Sequence, residues 1–353
     1  MNRFMLYSLL LLVILAADSF AQSQNMTLQV AGVSRKYILY APTGLGSNPP
    51  LVYVIHGFNM SGQQEVGLTR MNAVADREKF LVVYPDALPD GSNQQSWDMA
   101  GANDYAFILA IIDAVDAKYK IDKNRIYASG FSQGGFFSFQ LGCRYADIFA
   151  AIAPVSGLLN GTCSPKRPVP MIFTFGTNEG FDVNGFITSG DTWIKLNGCS
   201  TTPTVVKPYP STNANSVVTR STYSSCKEGA DVVVQSVAGG THEWPMNTNT
   251  KINNSEEVWA FFKKFSLQTA TPVLSARENG NGRNMVLAYA SGRVELRGGE
   301  GKYQVQVLDY RGRRVLSLND VQGHFDFVRP LSGVYQVVIR QAHISQRFRL
   351  AIP

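Results

Sequence analysis

Residues 125–137 read RIYASGFSQGGFF, and the type of fold can be inferred from them. The first of these residues are typical of a buried β-strand, and the residues after the glycines are compatible with a helix. Between them, GFSQG matches the pattern G-x-S-x-G with Ser132 at its centre. Between a strand and a helix, this pattern forms a strained turn that exposes the serine hydroxyl at the edge of the sheet. We therefore expect Ser132 to be a nucleophile on an α/β fold.

The glycines around Ser132 fit this interpretation. A side chain at Gly130 or Gly134 would collide with the turn, and Gly135 relieves the contact between helix and strand. The alternative is an ordinary glycine-rich turn, because Gly and Ser are common in loops.

A serine hydroxyl needs a base at neutral pH, and the chain has four histidines. On this kind of fold the base follows both the nucleophile and the acid along the chain. His56 precedes Ser132 and is expected to be a hydrogen-bonded structural residue. His324 and His343 lie in the C-terminal part. His242, in GGTHEWP directly after the run VVVQSV, is the predicted base.

The acid should follow a strand between nucleophile and base, and the segment MIFTFGTNEGFDVNG at 171–185 is such a place. The acid accepts a hydrogen bond from the imidazole Nδ1–H and stabilises the imidazolium. Glu179 is the first candidate, because it stands nearer the end of the strand. Asp182 is the alternative acid. Asp191 is a distant third candidate and is more typical of a helix N-cap.

The tetrahedral intermediate of acyl transfer needs two backbone N–H donors. We predict that this oxyanion hole is formed by Gln133, directly after the nucleophile, and by Phe58. Phe58 lies in the loop HGFNMSG, which follows the strand LVYVI at 51–55, and His56 and Gly57 would shape that loop.

Short apolar runs of β-formers alternate with helical patterns over residues 22–265. The predicted strands are 27–40, 51–55, 80–84, 125–129, 149–155, 169–175 and 232–237, and the predicted helices include 105–119 and 256–265. This alternation predicts an α/β domain with a mostly parallel sheet covered by helices. Residues 266–284 are polar and are predicted to be a linker. Residues 285–353 show short β-like runs separated by turns, which predicts a small all-β sandwich.

The N-terminus predicts a signal peptide over residues 1–21. It has a basic start, an apolar run too short to span a bilayer, and small residues before the predicted cleavage site. The four cysteines also favour an oxidising compartment. Cys199 and Cys226 flank a polar loop, which favours pairing them, and Cys143 would then pair with Cys163; four cysteines allow three pairings in all.

Composition narrows the choice of partners. The chain is 45% hydrophobic, which excludes a disordered protein. Its net charge of +6 comes from residues 271–353, which carry 12 basic and 6 acidic residues. We predict no nucleic-acid partner and no membrane span in the mature chain. No zinc-ligand spacing occurs, so neither a metal nor another cofactor is expected.

With these motifs assembled, residues 27–265 resemble secreted α/β-hydrolases of the polyhydroxybutyrate depolymerase and feruloyl esterase group. The resemblance rests on LVYVIHG, VYPDA, NDYAFILAIIDAVDAKYKIDKNRIYASGFSQGG, RPVPMIFTFGTNEG, WIKLNGC and HEWP. It implies Ser132 as nucleophile and His242 as base. The family's acid is normally an aspartate, and its position falls here on Glu179. The family places an aromatic residue near Trp97, which is therefore a candidate pocket wall, with a packed core residue as the alternative; Trp244 is a second candidate.

The resemblance implies a serine esterase that removes feruloyl or acetyl groups from plant polysaccharides such as xylan, or one that cleaves polyesters. The C-terminal part resembles sandwich modules of secreted bacterial enzymes, which serve export or surface attachment or bind carbohydrate. We therefore expect a secreted or cell-surface bacterial enzyme. The alternatives are a polyester depolymerase, a general short-chain esterase, a peptidase, or an attachment protein with a vestigial hydrolase domain.

Overall fold

The computed structural model of the chain describes residues 21–267, 274–275, 286–290, 293–297, 301–309, 313–326, 333–341 and 344–352. The predicted signal peptide lies outside these residues except for its last position, and so does most of the predicted linker. The chain divides into two compact units, of which the first ends at Ser266 and the second begins at Leu267.

Within residues 21–267, ten strands form one sheet. They are β1 (Gln22–Val30), β2 (Val33–Ala41), β3 (Leu51–Ile55), β4 (Leu81–Pro85), β5 (Ile126–Phe131), β6 (Ala151–Val155), β7 (Met171–Gly176), β8 (Thr204–Val206), β9 (Val218–Tyr223) and β10 (Val232–Val237). Their order is β1-β2-β4-β3-β5-β6-β7-β10-β9-β8. The central strands from β4 to β10 pair in parallel, and antiparallel strands flank them on both sides.

Five helices lie between strands of this sheet, and a sixth follows β10. They are α1 (Gly62–Thr69), α2 (Met71–Glu78), α3 (Asn103–Tyr119), α4 (Gln133–Arg144), α5 (Val183–Leu196) and α6 (Asn254–Phe262), with a 3₁₀ turn at Lys227–Gly229. Strands β3, β4 and β5 are buried at every position, as expected of parallel strands that are covered on both faces. The predicted mostly parallel α/β sheet is confirmed.

One local prediction is wrong. Asp191 lies inside α5 rather than at its start, because the helix begins eight residues earlier. The N-cap is Asp182, whose side chain accepts a hydrogen bond from the N–H of Asn184 at 3.0 Å. An aspartate in this position satisfies one of the free N–H groups of the first turn.

The second unit is all-β in its described residues. Its strands are β11 (Leu274–Ser275), β12 (Val286–Ala290), β13 (Arg293–Arg297), β14 (Tyr303–Leu308), β15 (Arg314–Val321), β16 (His324–Asp326), β17 (Gly333–Gln341) and β18 (Ile344–Ile352). They form two antiparallel four-stranded sheets, ordered β11-β12-β13-β16 and β15-β14-β17-β18. Val294 and Phe325 of one sheet share a hydrophobic core with Val305 and Val337 of the other. This is the predicted all-β sandwich.

Among the described residues, no helix combines the length and the apolar character that crossing a bilayer requires.

Candidate active site

Ser132 lies in the tight turn between β5 and α4. Its backbone has φ +54° and ψ −119°, a left-handed conformation that is uncommon for a residue with a side chain. The N–H of Ser132 donates to the carbonyl of Val155 on the neighbouring strand at 2.9 Å, which fixes the turn to the sheet. Backbone strain of this kind persists only where the surrounding structure holds it, and it is common at functional sites.

The glycines around Ser132 leave no room for a side chain. A Cβ atom at Gly130 would lie 2.4 Å from the carbonyl oxygen of Gly134, and one at Gly134 would lie 2.0 Å from that of Ile55. At Gly135 a Cβ would come within 2.8 Å of the carbonyl oxygen of Val155. The steric reason for the G-x-S-x-G-G pattern is therefore visible in the structure.

His242 and Glu179 form a hydrogen-bonded pair. Nδ1 of His242 lies 2.8 Å from Oε2 of Glu179, whose side chain is fully buried. The other carboxylate oxygen, Oε1, accepts from the hydroxyl of Ser156 and from the N–H of Gly176, both at 2.6 Å. Three donors compensate the burial of this charge. Because a carboxylate only accepts, Nδ1 carries the proton, and the lone pair of Nε2 is available to act as a base.

The structure therefore places Glu179, and not Asp182, against the imidazole. Asp182 caps α5 and accepts from the N–H of Asn184. The turn at 177–180 brings the Glu179 side chain back toward the end of β7, where Gly176 donates to it. The carboxylate of Asp182 is therefore already hydrogen-bonded as the N-cap of α5.

Both predicted oxyanion donors lie beside Ser132. Gln133 is the first residue of α4, and Phe58 follows β3; both line the same cavity as Ser132. Neither backbone N–H donates to a protein acceptor within residues 21–267. The first N–H groups of a helix have no partner inside the helix and carry its positive dipole end, so the start of α4 favours a developing negative charge.

His56 has a structural role. It is fully buried, and its Nε2 accepts from the N–H of Ala87 at 3.0 Å. Nδ1 then carries the proton and donates to the carbonyl of Gly57 at 2.7 Å. Burial lowers the pKa of His56, which keeps the ring neutral. The ring thereby fixes the loop that carries Phe58, as the sequence suggests.

An apolar cavity of about 510 Å³ opens over Ser132. The residues that line this apolar cavity are Phe58, Met99, Ser132, Gln133, Phe136, Ser156, Leu158, Asn160, Phe181, Phe186 and His242. Its polar lining residues are Ser132, Gln133, Ser156, Asn160 and His242, and four phenylalanines line it as well. Such a site can hold an apolar or aromatic group with its reactive carbon next to Ser132.

Both candidate tryptophans lie in the core, which for Trp97 is the alternative that the sequence leaves open. Trp97 is 2% exposed, stacks on Phe137 and donates its indole N–H to the carbonyl of His56 at 2.9 Å. Trp244 is equally buried and donates to the hydroxyl of Ser255 at 3.1 Å. Neither lines the apolar cavity, because each indole N–H is satisfied by an acceptor in the interior.

Sequence reasoning missed Ser156 and Phe181. Ser156 follows β6 with φ +48° and donates to Glu179, so it positions the acid. The ring of Phe181 lies 4.7 Å from the imidazole of His242 and is 61% exposed. A serine directly after a strand adjacent to β5 is a weak signal that could have been noticed, whereas Phe181 lies in a loop with no local pattern.

Residues 21–267 contain two disulfides. They join Cys143 to Cys163 and Cys199 to Cys226, which are the pairs that the sequence favours. Cys143 lies on α4, so the first disulfide ties the helix that follows Ser132 to the loop after β6. Among the described ranges, no group of three or more His, Cys, Asp or Glu side chains is arranged to hold a metal ion.

Comparison with known proteins finds esterases among the relatives of this chain. A family model described as Esterase PHB depolymerase matches residues 35–167. A probable feruloyl esterase C from Aspergillus clavatus is 30% identical, over 65% of this chain and 83% of the relative. A bifunctional acetylxylan esterase/xylanase from Neocallimastix patriciarum is also 30% identical, over 71% of this chain, but the chain spans only 36% of that protein's length.

The fold is also found in solved structures. An acetyl xylan esterase from Aspergillus awamori superposes with a TM-score of 0.55 at 17% identity, covering 69% of this chain and 99% of that one. At this identity the similarity shows the fold alone. The fold and the sequence relatives place the chain in the α/β-hydrolase class. Within that class, the chain belongs to the Esterase PHB depolymerase family, which confirms the resemblance in its sequence.

Proposed function

We propose that this protein is a secreted serine carboxylic-ester hydrolase that removes acyl groups from plant hemicellulose such as xylan. The observation that carries the proposal is the buried Glu179–His242 hydrogen bond at 2.8 Å, with Ser132 lining the same cavity as His242. Relatives named as feruloyl and acetylxylan esterases support the choice of substrate.

The reaction has two halves. In the first, His242 Nε2 takes the proton of the Ser132 hydroxyl as its oxygen attacks the ester carbonyl. The N–H groups of Phe58 and Gln133 stabilise the negative charge on the carbonyl oxygen. Protonated His242, held by Glu179, then gives its proton to the leaving alcohol, which leaves an acyl group on Ser132.

In the second half, His242 takes a proton from a water molecule that attacks the acyl-enzyme. The acid leaves, and the proton returns to Ser132. Glu179 remains ionised throughout, because its role is to orient the imidazole and to stabilise the imidazolium.

The apolar cavity favours a feruloyl group over an acetyl group. Phe58, Phe136, Phe181 and Phe186 all line it. An aromatic acid can make offset-stacked or edge contacts with such rings, each worth about 0.5–1.5 kcal/mol beyond simple burial. An acetyl group presents only a methyl group to the same walls, so its esters should be processed less efficiently.

A polyester is the second candidate substrate. Phe58 is 46% exposed and Phe181 is 61% exposed, and both line the apolar cavity. Exposed apolar side chains around a catalytic serine suit an extended apolar chain better than a sugar. A vestigial hydrolase domain is disfavoured, because an unused site would have no reason to keep three donors on Glu179.

We also propose that the protein is exported. Two disulfides are typical of an oxidising compartment. In this proposal residues 1–21 are a cleaved signal peptide, residues 22–265 are the esterase domain, and a linker at 266–284 leads to the sandwich at 285–353. That sandwich would serve sorting, surface attachment or carbohydrate binding.

The test uses a xylan that carries both acetyl and feruloyl esters. The mature protein, Ser132→Ala and the control Ser92→Ala, which changes an exposed loop serine, are each incubated with it. Released acetate and ferulate are measured in one chromatographic run. We expect ferulate in excess from the wild type and the control, and neither acid from Ser132→Ala. No release of either acid from the wild type would contradict the hemicellulose proposal.

A further inference from the structure

A second, polar recess of about 320 Å³ adjoins the apolar cavity. We call it the polar recess; it is lined by Leu158, Leu159, Asn160, Asp182, Asn184, Gly185, Thr188, Ser189 and Thr192. Leu158 and Asn160 line both spaces, so these two residues form the boundary between them. One ligand can therefore extend from the apolar cavity into the polar recess.

One side of α5 forms most of the polar recess. Asn184, Thr188 and Thr192 follow one another at intervals of four residues, which places them on the same face of the helix. Gly185 keeps the space between this face and the boundary open. A Cβ atom there would lie 3.0 Å from a methyl carbon of Leu158.

The lining chemistry suits hydroxyl groups. The side-chain amides of Asn160 and Asn184 offer both donors and acceptors, and the hydroxyl of Thr188 offers one of each. Among the described residues that line the polar recess, Asp182 alone is charged, and none is a lysine or an arginine. A phosphate or carboxylate ligand is thus disfavoured, whereas a neutral ligand rich in hydroxyls can pair with every one of these groups.

The boundary is held rigidly. Leu159 N–H donates to the hydroxyl of Ser189 on α5 at 2.9 Å, and the carbonyl of Asn160 accepts from the Gln140 side chain on α4 at 2.6 Å. The disulfide between Cys143 and Cys163 closes the same loop. A preorganised wall loses little conformational entropy when a ligand binds.

We propose that the polar recess binds the sugar to which the acyl group is esterified. This inference rests on the proposed function, because it divides one substrate between two spaces. The acyl half occupies the apolar cavity, and the neutral sugar next to the ester oxygen lies across Leu158 and Asn160. Sugar recognition then comes from α5, and acyl recognition comes from the phenylalanines.

The first experiment fills the polar recess. Thr188→Trp adds bulk at an exposed position inside it, and Ile187→Trp is the matched control, since Ile187 is the 48% exposed neighbour and does not line it. The kcat/KM is measured for a feruloylated arabinoxylo-oligosaccharide and for methyl ferulate, which has no sugar. We divide the kcat/KM for the oligosaccharide by the kcat/KM for methyl ferulate. We expect this ratio to fall about tenfold in Thr188→Trp, as for the loss of one or two hydrogen bonds. The control should keep the wild-type ratio. An unchanged ratio in Thr188→Trp would overturn the proposal.

A second experiment separates this inference from the esterase proposal. Inactive Ser132→Ala is titrated calorimetrically with the same arabinoxylo-oligosaccharide without its feruloyl group. We expect the oligosaccharide to bind Ser132→Ala, to lose binding when Thr188→Trp is added, and to keep it when Ile187→Trp is added. This result would support sugar binding in the polar recess even if the wild type releases no ferulate. Binding that survives Thr188→Trp, or no binding by Ser132→Ala, would overturn the assignment, whatever the outcome for ester hydrolysis.

Discussion

Replacing Glu179 by glutamine tests the assignment of the acid most sharply. In the wild type, Oε1 accepts from Ser156 and Gly176, each at 2.6 Å, and Oε2 accepts from His242 Nδ1–H at 2.8 Å. A glutamine amide has one oxygen and one NH₂ group. In one orientation its NH₂ meets the Nδ1–H of His242, and in the other it meets the N–H of Gly176. In either orientation, two hydrogen-bond donors face each other and no acceptor lies between them.

The first orientation also fixes the wrong imidazole tautomer. Nδ1 must then accept, Nε2 carries the proton, and no lone pair faces the Ser132 hydroxyl. The equivalent acid-to-amide change in a serine triad lowers kcat by about 10⁴-fold, which is on the order of 5 kcal/mol in the activation barrier. We expect kcat on methyl ferulate to fall by about 10³- to 10⁴-fold. The KM should change little, because Glu179 does not line the apolar cavity.

The assay is spectrophotometric hydrolysis of methyl ferulate, with folding checked by circular dichroism. Asp182→Asn tests the alternative acid, and asparagine caps helices as well as aspartate does. We expect Asp182→Asn to retain at least about a third of the wild-type kcat, since the cap of α5 is kept and Asp182 makes no contact with His242. A Glu179→Gln variant that keeps more than a tenth of the wild-type kcat would show that Glu179 is not the acid of the triad. So would Asp182→Asn that loses activity while Glu179→Gln does not.

Three further changes test the acyl wall, the serine turn and a buried carboxyl. Phe181→Ala removes a ring that contacts His242, and we expect kcat/KM for methyl ferulate to fall about three- to tenfold relative to 4-nitrophenyl acetate; equal falls for both esters would contradict the aromatic wall. Gly134→Ala would put a Cβ 2.0 Å from the carbonyl oxygen of Ile55, and overpacking of this kind should lower the melting temperature by about 3–10 °C; an unchanged melting temperature in calorimetry would show that the turn is not crowded. Burial raises the pKa of the Glu65 carboxyl well above its ordinary value of 4.5. The free energy of unfolding therefore falls as the pH rises from 4.5 through the raised pKa of Glu65. Glu65→Gln should therefore raise the urea midpoint more at pH 8 than at pH 5, and an equal change at both would contradict a neutral buried carboxyl.

The sequence predicts the parts of the site that local rules determine. Ser132 and its glycines are specified by steric exclusion in a turn of a few residues, so the pattern G-x-S-x-G-G carries the geometry with it. His242 follows from chain order and from the shortage of histidines. The central strands were predictable because parallel strands that are buried on both faces must be continuously apolar.

Other features depend on tertiary contacts that no local pattern records. Glu179 and Asp182 remain alternatives in the sequence, since the choice depends on how the loop after β7 turns and on where α5 begins. Trp97 lies two residues before Met99, which lines the apolar cavity, but the Trp97 ring stacks on Phe137 in the core. Phe181 lines the apolar cavity only because its loop brings it against His242.

The central claim is that Ser132 is the residue acylated during turnover, and covalent labelling tests it most directly. The wild type and Ser132→Ala are treated with a fluorophosphonate, reduced, digested with trypsin and analysed by mass spectrometry. We expect a single modified serine in the peptide spanning residues 126–144, and no label on the variant. A label on another serine, or a wild type that stays unlabelled while folded, would contradict the account.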